Sequence, residues 1–132
     1  MKRLGRMWLL AGAVAALPLA CEDDNDHDEG GVSTMSECPA TQTLTYDNFG
    51  QAFFDTYCQS CHASTVMGAA RMGAPADHVF DTVADIRVLA PHIDQFAAAG
   101  PTGVNTVMPP IAPRPTEGER HRLGEWLACG AP

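Results

Sequence analysis

Apolar side chains return at helical spacing in several stretches of this chain. Tyr46, Phe49, Phe53, Phe54 and Tyr57 fall on one face of a helix over residues 46–57. Thr45 can cap its start, and Asp47 suits the positive end of the helix dipole. Leu44 and Phe49 are spaced for a hydrophobic staple across that cap. Gly50 weakens the helix, so the close approach of another element is the reason to expect it there. Val79, Phe80, Val83 and Ile86 predict a second helix over residues 77–89, and Pro91 and Gly100 bracket a short third one over 91–99. Residues 100–115 read as a loop with five prolines. The last helix runs over about 117–129, with a Thr116/Glu119 capping box, Gly130 as its stop, and Leu123, Trp126 and Leu127 on its inner face. No strand pattern and no internal repeat stands out, so the expected fold class is all-α.

The chain ahead of residue 38 has a different texture. Lys2, Arg3 and Arg6 precede an uncharged apolar run from Trp8 to Ala20, the pattern of a secretory signal peptide over residues 1–20. A buried helix would not need the basic start or the terminal position. The run ends Leu17-Pro18-Leu19-Ala20-Cys21, which resembles the lipobox of bacterial lipoproteins, with Pro18 where that family carries an aliphatic residue. The resemblance implies diacylglycerol on the Cys21 thiol and anchoring without a membrane-spanning helix. Ordinary cleavage after a small residue is the alternative. Residues 21–37 then read as a flexible tether, because six acids crowd into Glu22 to Glu29 and little there can be buried. That acidic strip lacks the spacing of an EF-hand loop. The folded domain is expected over residues 38–132.

Charge narrows the partners. Of 8 basic residues, three lie in the signal segment, leaving five against 16 acids, a formal charge of −11. Such a surface does not seek nucleic acid or anionic lipid headgroups; it suits a basic docking partner, or simply solubility.

The chemistry centres on Cys58-Gln59-Ser60-Cys61-His62. A Cys-x-x-Cys-His run is the attachment signal for a c-type haem. Two intervening residues let both thiols reach the vinyl groups of one porphyrin, and the next residue offers an imidazole to the iron. A redox dithiol would want a βαβ surround, and a zinc site a second close pair of ligands; neither pattern is present. Of the 5 cysteines, Cys38 and Cys129 then remain, an even number in an exported chain, and are expected to form a disulfide.

With these pieces placed, residues 45–130 resemble the class I cytochromes c. In that family a glycine stands eight residues before the first haem cysteine and an aromatic four before it; here these are Gly50 and Phe54. Its C-terminal helix crosses at that glycine with an aliphatic residue and an aromatic three later, matched by Leu123 and Trp126. The resemblance implies N- and C-terminal helices crossing beside one covalent haem c. It implies His62 and Met108 as iron ligands, Met108 being followed by Pro109 and Pro110 in the loop before the last helix. Met67 and Met72, or a histidine among His78, His92 and His121, compete for the second position. Arg71, Arg87 and Arg114 are propionate candidates by charge alone, and an exposed arginine is the plainer reading of each. Met/His ligation would raise the reduction potential above that of bis-histidine iron.

The expected function is a non-enzymatic carrier of single electrons in the cell envelope, membrane-anchored and periplasm-facing, working with redox partner proteins. One alternative is a peroxidase-like enzyme or gas sensor with an open distal site, where His78 or His92 with Arg87 would stand over the iron. Another is a haem-free structural or metal-binding lipoprotein that uses the dithiol.

Overall fold

A computed structural model of the protein describes residues 31–132. The signal segment, Cys21 and the acidic run lie outside the described residues. The described chain is mostly helical, with one small two-stranded sheet. In order along the chain these are α1 (Gln51–Tyr57), entered through a π-type turn (Tyr46–Gly50), then α2 (Gln59–His62), a 3₁₀ turn (Gly68–Arg71), α3 (Val83–Val88), α4 (Ala90–Ala97), β1 (Ala99–Gly100), β2 (Gly103–Val104) and α5 (Glu117–Ala128).

Local chemistry sets the helix starts. Thr45 accepts from the Asn48 amide and Asn48 Oδ1 accepts from the Thr45 amide, a reciprocal cap with asparagine in the acidic residue's place. Thr116 and Glu119 form the expected capping box, and Gly130, at φ +80°, follows the end of α5. A third box, Thr82 with Asp85, starts α3. The helix expected over 77–89 is therefore shortened to Val83–Val88. Phe80 still reaches the core, but from chain outside the helix. The third helix, expected over 91–99, spans Ala90–Ala97, with Pro91 in its first turn.

Ala99 belongs instead to β1, which pairs antiparallel with β2 through Ala99↔Val104 and Gly100↔Gly103. The all-α expectation is corrected to that extent. The ladder continues beyond the strands: Asn105 N–H donates to the Ala98 carbonyl at 2.9 Å and Met108 N–H to that of Phe96 at 2.9 Å. The proline-rich segment is thus hung alongside the end of α4.

The core gathers Phe49, Phe53, Phe54, Phe80, Ile86, Ile93, Leu123, Trp126 and Leu127. Full burial of a side chain such as Leu123 or Ile86 contributes about 1.5–3 kcal/mol. The first and last helices meet at Gly50. A Cβ there would stand 2.7 Å from Trp126 Cζ2 and 2.9 Å from Tyr46 Cδ2, so only a bare backbone admits the indole. The Trp126 ring in turn lies 6.1 Å from Phe49 and 6.2 Å from Phe54.

Residues 31–37, read as the end of the tether, are packed onto the domain from Gly31 to Ser36. Thr34 is fully buried, and its amide donates to Asp94 at 2.8 Å. Asn105 Nδ2 donates to the carbonyls of Val32 and Asp94, and Ser36 Oγ to that of Ala99. Gly124 on α5 makes room, since a Cβ there would meet Ser36 Oγ at 2.4 Å. Polar side chains hold this strap, which is why hydrophobic patterning did not mark it. Just after it, Cys38 is joined to Cys129 by a disulfide, with Cα atoms 4.7 Å apart.

Candidate functional site

The last turn of α1 leads directly into the cysteine-histidine run. Cys61 and His62 both return their amides to the Cys58 carbonyl, at 3.1 and 3.0 Å. Spacings of three and four residues on one helical turn put Cys58, Cys61 and His62 on a common face. All three line an apolar cleft of about 450 Å³. Its walls also include Phe53 and Tyr57 from α1, Phe80, His92, Ile93 and Phe96 from α4, and the segment from Met108 to Pro113.

Both thiols are free. Burial pushes the Cys58 thiol up to about 12, against a smaller opposing pull from the Arg120 charge. At neutral pH it is a protonated thiol, a poor nucleophile for dithiol exchange. It remains a competent partner for addition across a carbon–carbon double bond. Among the described residues, no group of three or more His, Cys, Asp or Glu is arranged to hold a bare metal ion.

His62 is buried and held on two sides. Phe80 stacks on its ring, with centroids 4.6 Å apart and planes 22° from parallel. Its Nδ1 lies 2.9 Å from the His78 carbonyl oxygen, which fixes the proton on Nδ1 and leaves the Nε2 lone pair for a ligand. Burial draws this imidazole below its ordinary value; the bond to His78 opposes that, and the Arg71 charge adds to it. A neutral ring is the ligating form.

The chain around His62 is stitched to α2. The Phe80 amide donates to the His62 carbonyl at 3.2 Å, Gln59 Nε2 donates to the Phe80 carbonyl at 2.6 Å, and the Ser64 amide donates to Asp81 at 3.0 Å.

The competing ligand candidates separate. Met108 is half-buried in the cleft wall, with its amide on Phe96 and its carbonyl accepting from Arg120 at 2.8 Å. Met72 sits at the rim, 54% exposed, while Met67 is 77% exposed and does not line the cleft. His78 and His92 both line it, with ring centroids 4.5 Å apart, and His92 stacks on Phe96 at 4.2 Å. Burial lowers the His92 imidazole, with the His78 and His62 charges acting in the same direction. His121 lies on α5 outside the cleft, 3.8 Å from Glu117.

Among the arginines, Arg71 departs from expectation, whereas Arg87 and Arg114 are exposed as expected. Arg71, read as exposed, is buried, and its donors reach the carbonyls of Ala63, Val66, Ala74, Pro75 and His78. A guanidinium has five N–H groups, so this one has none left for a propionate. Arg87 is exposed and ties α3 to the carbonyls of Gly130 and Ala131, outside the cleft, so it cannot serve over an iron with His78 or His92. Arg114 is exposed and donates to the Pro110 carbonyl.

Sequence reading missed Arg120. Only 2% exposed, it directs Nη1 at the carbonyls of Ala97, Asn105 and Met108, at 2.7, 2.8 and 2.8 Å. One side chain on α5 thereby fixes the end of α4 and the methionine loop together. Nothing in its sequence neighbourhood marks it, because its partners are backbone atoms brought close only by the fold.

Comparison of the chain with protein-family models, with curated proteins and with solved structures finds no match.

Proposed function

We propose that this protein is a monohaem c-type cytochrome, of class I type, that carries single electrons in the bacterial cell envelope. The observation that carries the reading is the donor set around one apolar cleft. Two free thiols, an imidazole with Nε2 available and a backbone-anchored thioether all line it. These residues fit a covalent haem. Cys58 and Cys61 would hold its periphery as thioethers, each S–H adding across one vinyl group with no leaving group. His62 and Met108 are the residues that would ligate its iron. A haem bound there supplies a ferric/ferrous couple.

The chain's own residues do the rest. Phe80 and the His78 carbonyl fix the plane and tautomer of His62. Arg120 and the bond to Phe96 fix both ends of the Met108 peptide unit, so the thioether need not move between redox states. Phe53, Ile93 and Phe96 keep the cleft apolar, which disfavours the more highly charged ferric form.

The class I arrangement is supported by Trp126 seated on Gly50, where the last helix meets the helical segment that leads into the motif. The signal segment, the lipobox-like Cys21 and the acidic run extend the proposal to a lipid-anchored protein facing the periplasm, with basic redox partners. The packed strap shortens the spacer to residues 22–30.

The test is the exported protein, matured with a cytochrome-assembly apparatus. Its intact mass should equal polypeptide plus haem, and the ferrous spectrum should be that of low-spin c-type iron. The ferric form should carry the weak near-infrared thioether band. An unmodified polypeptide would overturn the proposal. A high-spin ferric spectrum with ready carbon monoxide binding would move it to the sensor or enzyme reading, for which His92 in the cleft wall is the supporting residue.

A further inference from the structure

Arg71 touches the atom that orients His62. The His78 carbonyl oxygen lies 2.9 Å from His62 Nδ1 and 3.0 Å from Arg71 Nη2. Resting on the reading of His62 as an iron ligand, the geometry points to Arg71 as a positioning residue that weakens the His78–His62 hydrogen bond and so raises the reduction potential.

A carbonyl oxygen has two lone pairs, so both donors fit at once. The guanidinium bond is charge-assisted and draws electron density from that oxygen. The oxygen then accepts less strongly from Nδ1–H, and the imidazole acquires less anionic character. A less basic imidazole is a poorer donor to iron, and the ferric state loses more by this than the ferrous. The fixed positive charge beside His62 acts in the same direction.

The other four N–H groups organise the loop through Ala63, Val66, Ala74 and Pro75. A purely structural role would therefore loosen the loop without a directed change in the iron's electronics. The His78 partner is what adds the electronic effect, and no other charged side chain donates to that carbonyl among the described residues.

The test compares the wild-type holoprotein with Arg71→Gln and Arg71→Lys. Redox titration should show the Gln variant shifted toward the ferric form about tenfold, equivalent to about 59 mV for one electron. The Lys variant, which keeps a charge but not the fork, should fall between. The ferrous His62 Nδ1–H resonance should move downfield in both, as its bond to His78 strengthens. The thioether band should persist.

An unmoved potential and an unmoved Nδ1–H resonance in either folded variant would overturn the inference. If the Gln variant yields no holoprotein, the Lys variant decides by the same two readouts. A wild type without covalent haem would instead sink the reading of the site itself, a result separable by mass alone.

Discussion

Arg120→Leu isolates what one buried cation contributes to the domain. In the native protein its Nη1 faces three carbonyls at 2.7–2.8 Å and the side chain is 2% exposed. Nη1 carries two hydrogens, so the three contacts amount to about two full bonds, one of them shared. Charge-assisted bonds contribute about 1.5–3 kcal/mol each, which gives about 3–6 kcal/mol for the pair. Leucine fills part of the volume but leaves the Ala97, Asn105 and Met108 carbonyls unpaired. The expected loss is about 3–5 kcal/mol, a large part of the roughly 5–15 kcal/mol that holds a typical domain together.

Urea denaturation of the holoprotein, followed by circular dichroism, measures it. The near-infrared thioether band should fade at lower urea than the helical signal, because the methionine loop loses its anchor first. Arg122→Leu is the control: Arg122 is exposed, over the Phe49 ring at 4.7 Å, and its loss should cost under about 1 kcal/mol. If Arg120→Leu costs no more than Arg122→Leu, the role given to those three carbonyl bonds is wrong.

Other consequences are open to direct measurement. Met108→Ala should abolish the thioether band, lower the potential and admit carbon monoxide; the same outcome from Met72→Ala, with Met108→Ala silent, would reassign the ligand. Cys38→Ser, Cys129→Ser and the double variant should lose equal stability, about 4–5 kcal/mol in the chain-entropy limit for a separation of 91 residues, whereas additive losses would deny the bridge. Gly50→Ala should destabilise by about 1–2 kcal/mol, since overpacking against Trp126 outweighs about 1 kcal/mol of helix propensity; a higher melting temperature would refute this.

Glu119 gives a pH signature. The Thr116 amide, the Thr116 hydroxyl and the Tyr57 hydroxyl all donate to its carboxylate, holding it below the ordinary 4.5, with the amide bond the largest cause. Its stabilisation is complete above pH 4.5 and is lost as pH falls through the depressed value. Glu119→Gln should therefore flatten the acid limb of the stability curve, and an unchanged limb would count against the assignment.

What could be read from the chain beforehand follows a physical divide. Gly50 and Trp126 were legible because a helix-weakening glycine inside an aromatic stripe has few uses other than close packing. The Thr116 box was legible because both of its partners lie within one turn. The boundary of α3 was misread because Val79 and Phe80 continue the helical spacing of Val83 and Ile86; Thr82 and Asp85 held the better signal. Arg71, Arg120, Asn105 and Thr34 escaped for a common reason. Each is polar, each is buried, and most of their partners are backbone groups or lie far along the chain. The cysteines, His62 and Met108 that line the cleft were singled out from the sequence, and the polar scaffold behind them was not.

Between Ala63 and His78 the backbone winds about one guanidinium as cord winds on a spool, and most of the side chains along it face solvent. The contacts that shape it are to carbonyl oxygens, which every amino acid supplies. Side-chain identity at its solvent-facing positions is therefore loosely constrained, apart from Gly68 and Gly73 with their positive φ angles, whereas inserting or deleting a single residue would carry the oxygens out of register. At those solvent-facing positions, spacing rather than composition is what this stretch must keep.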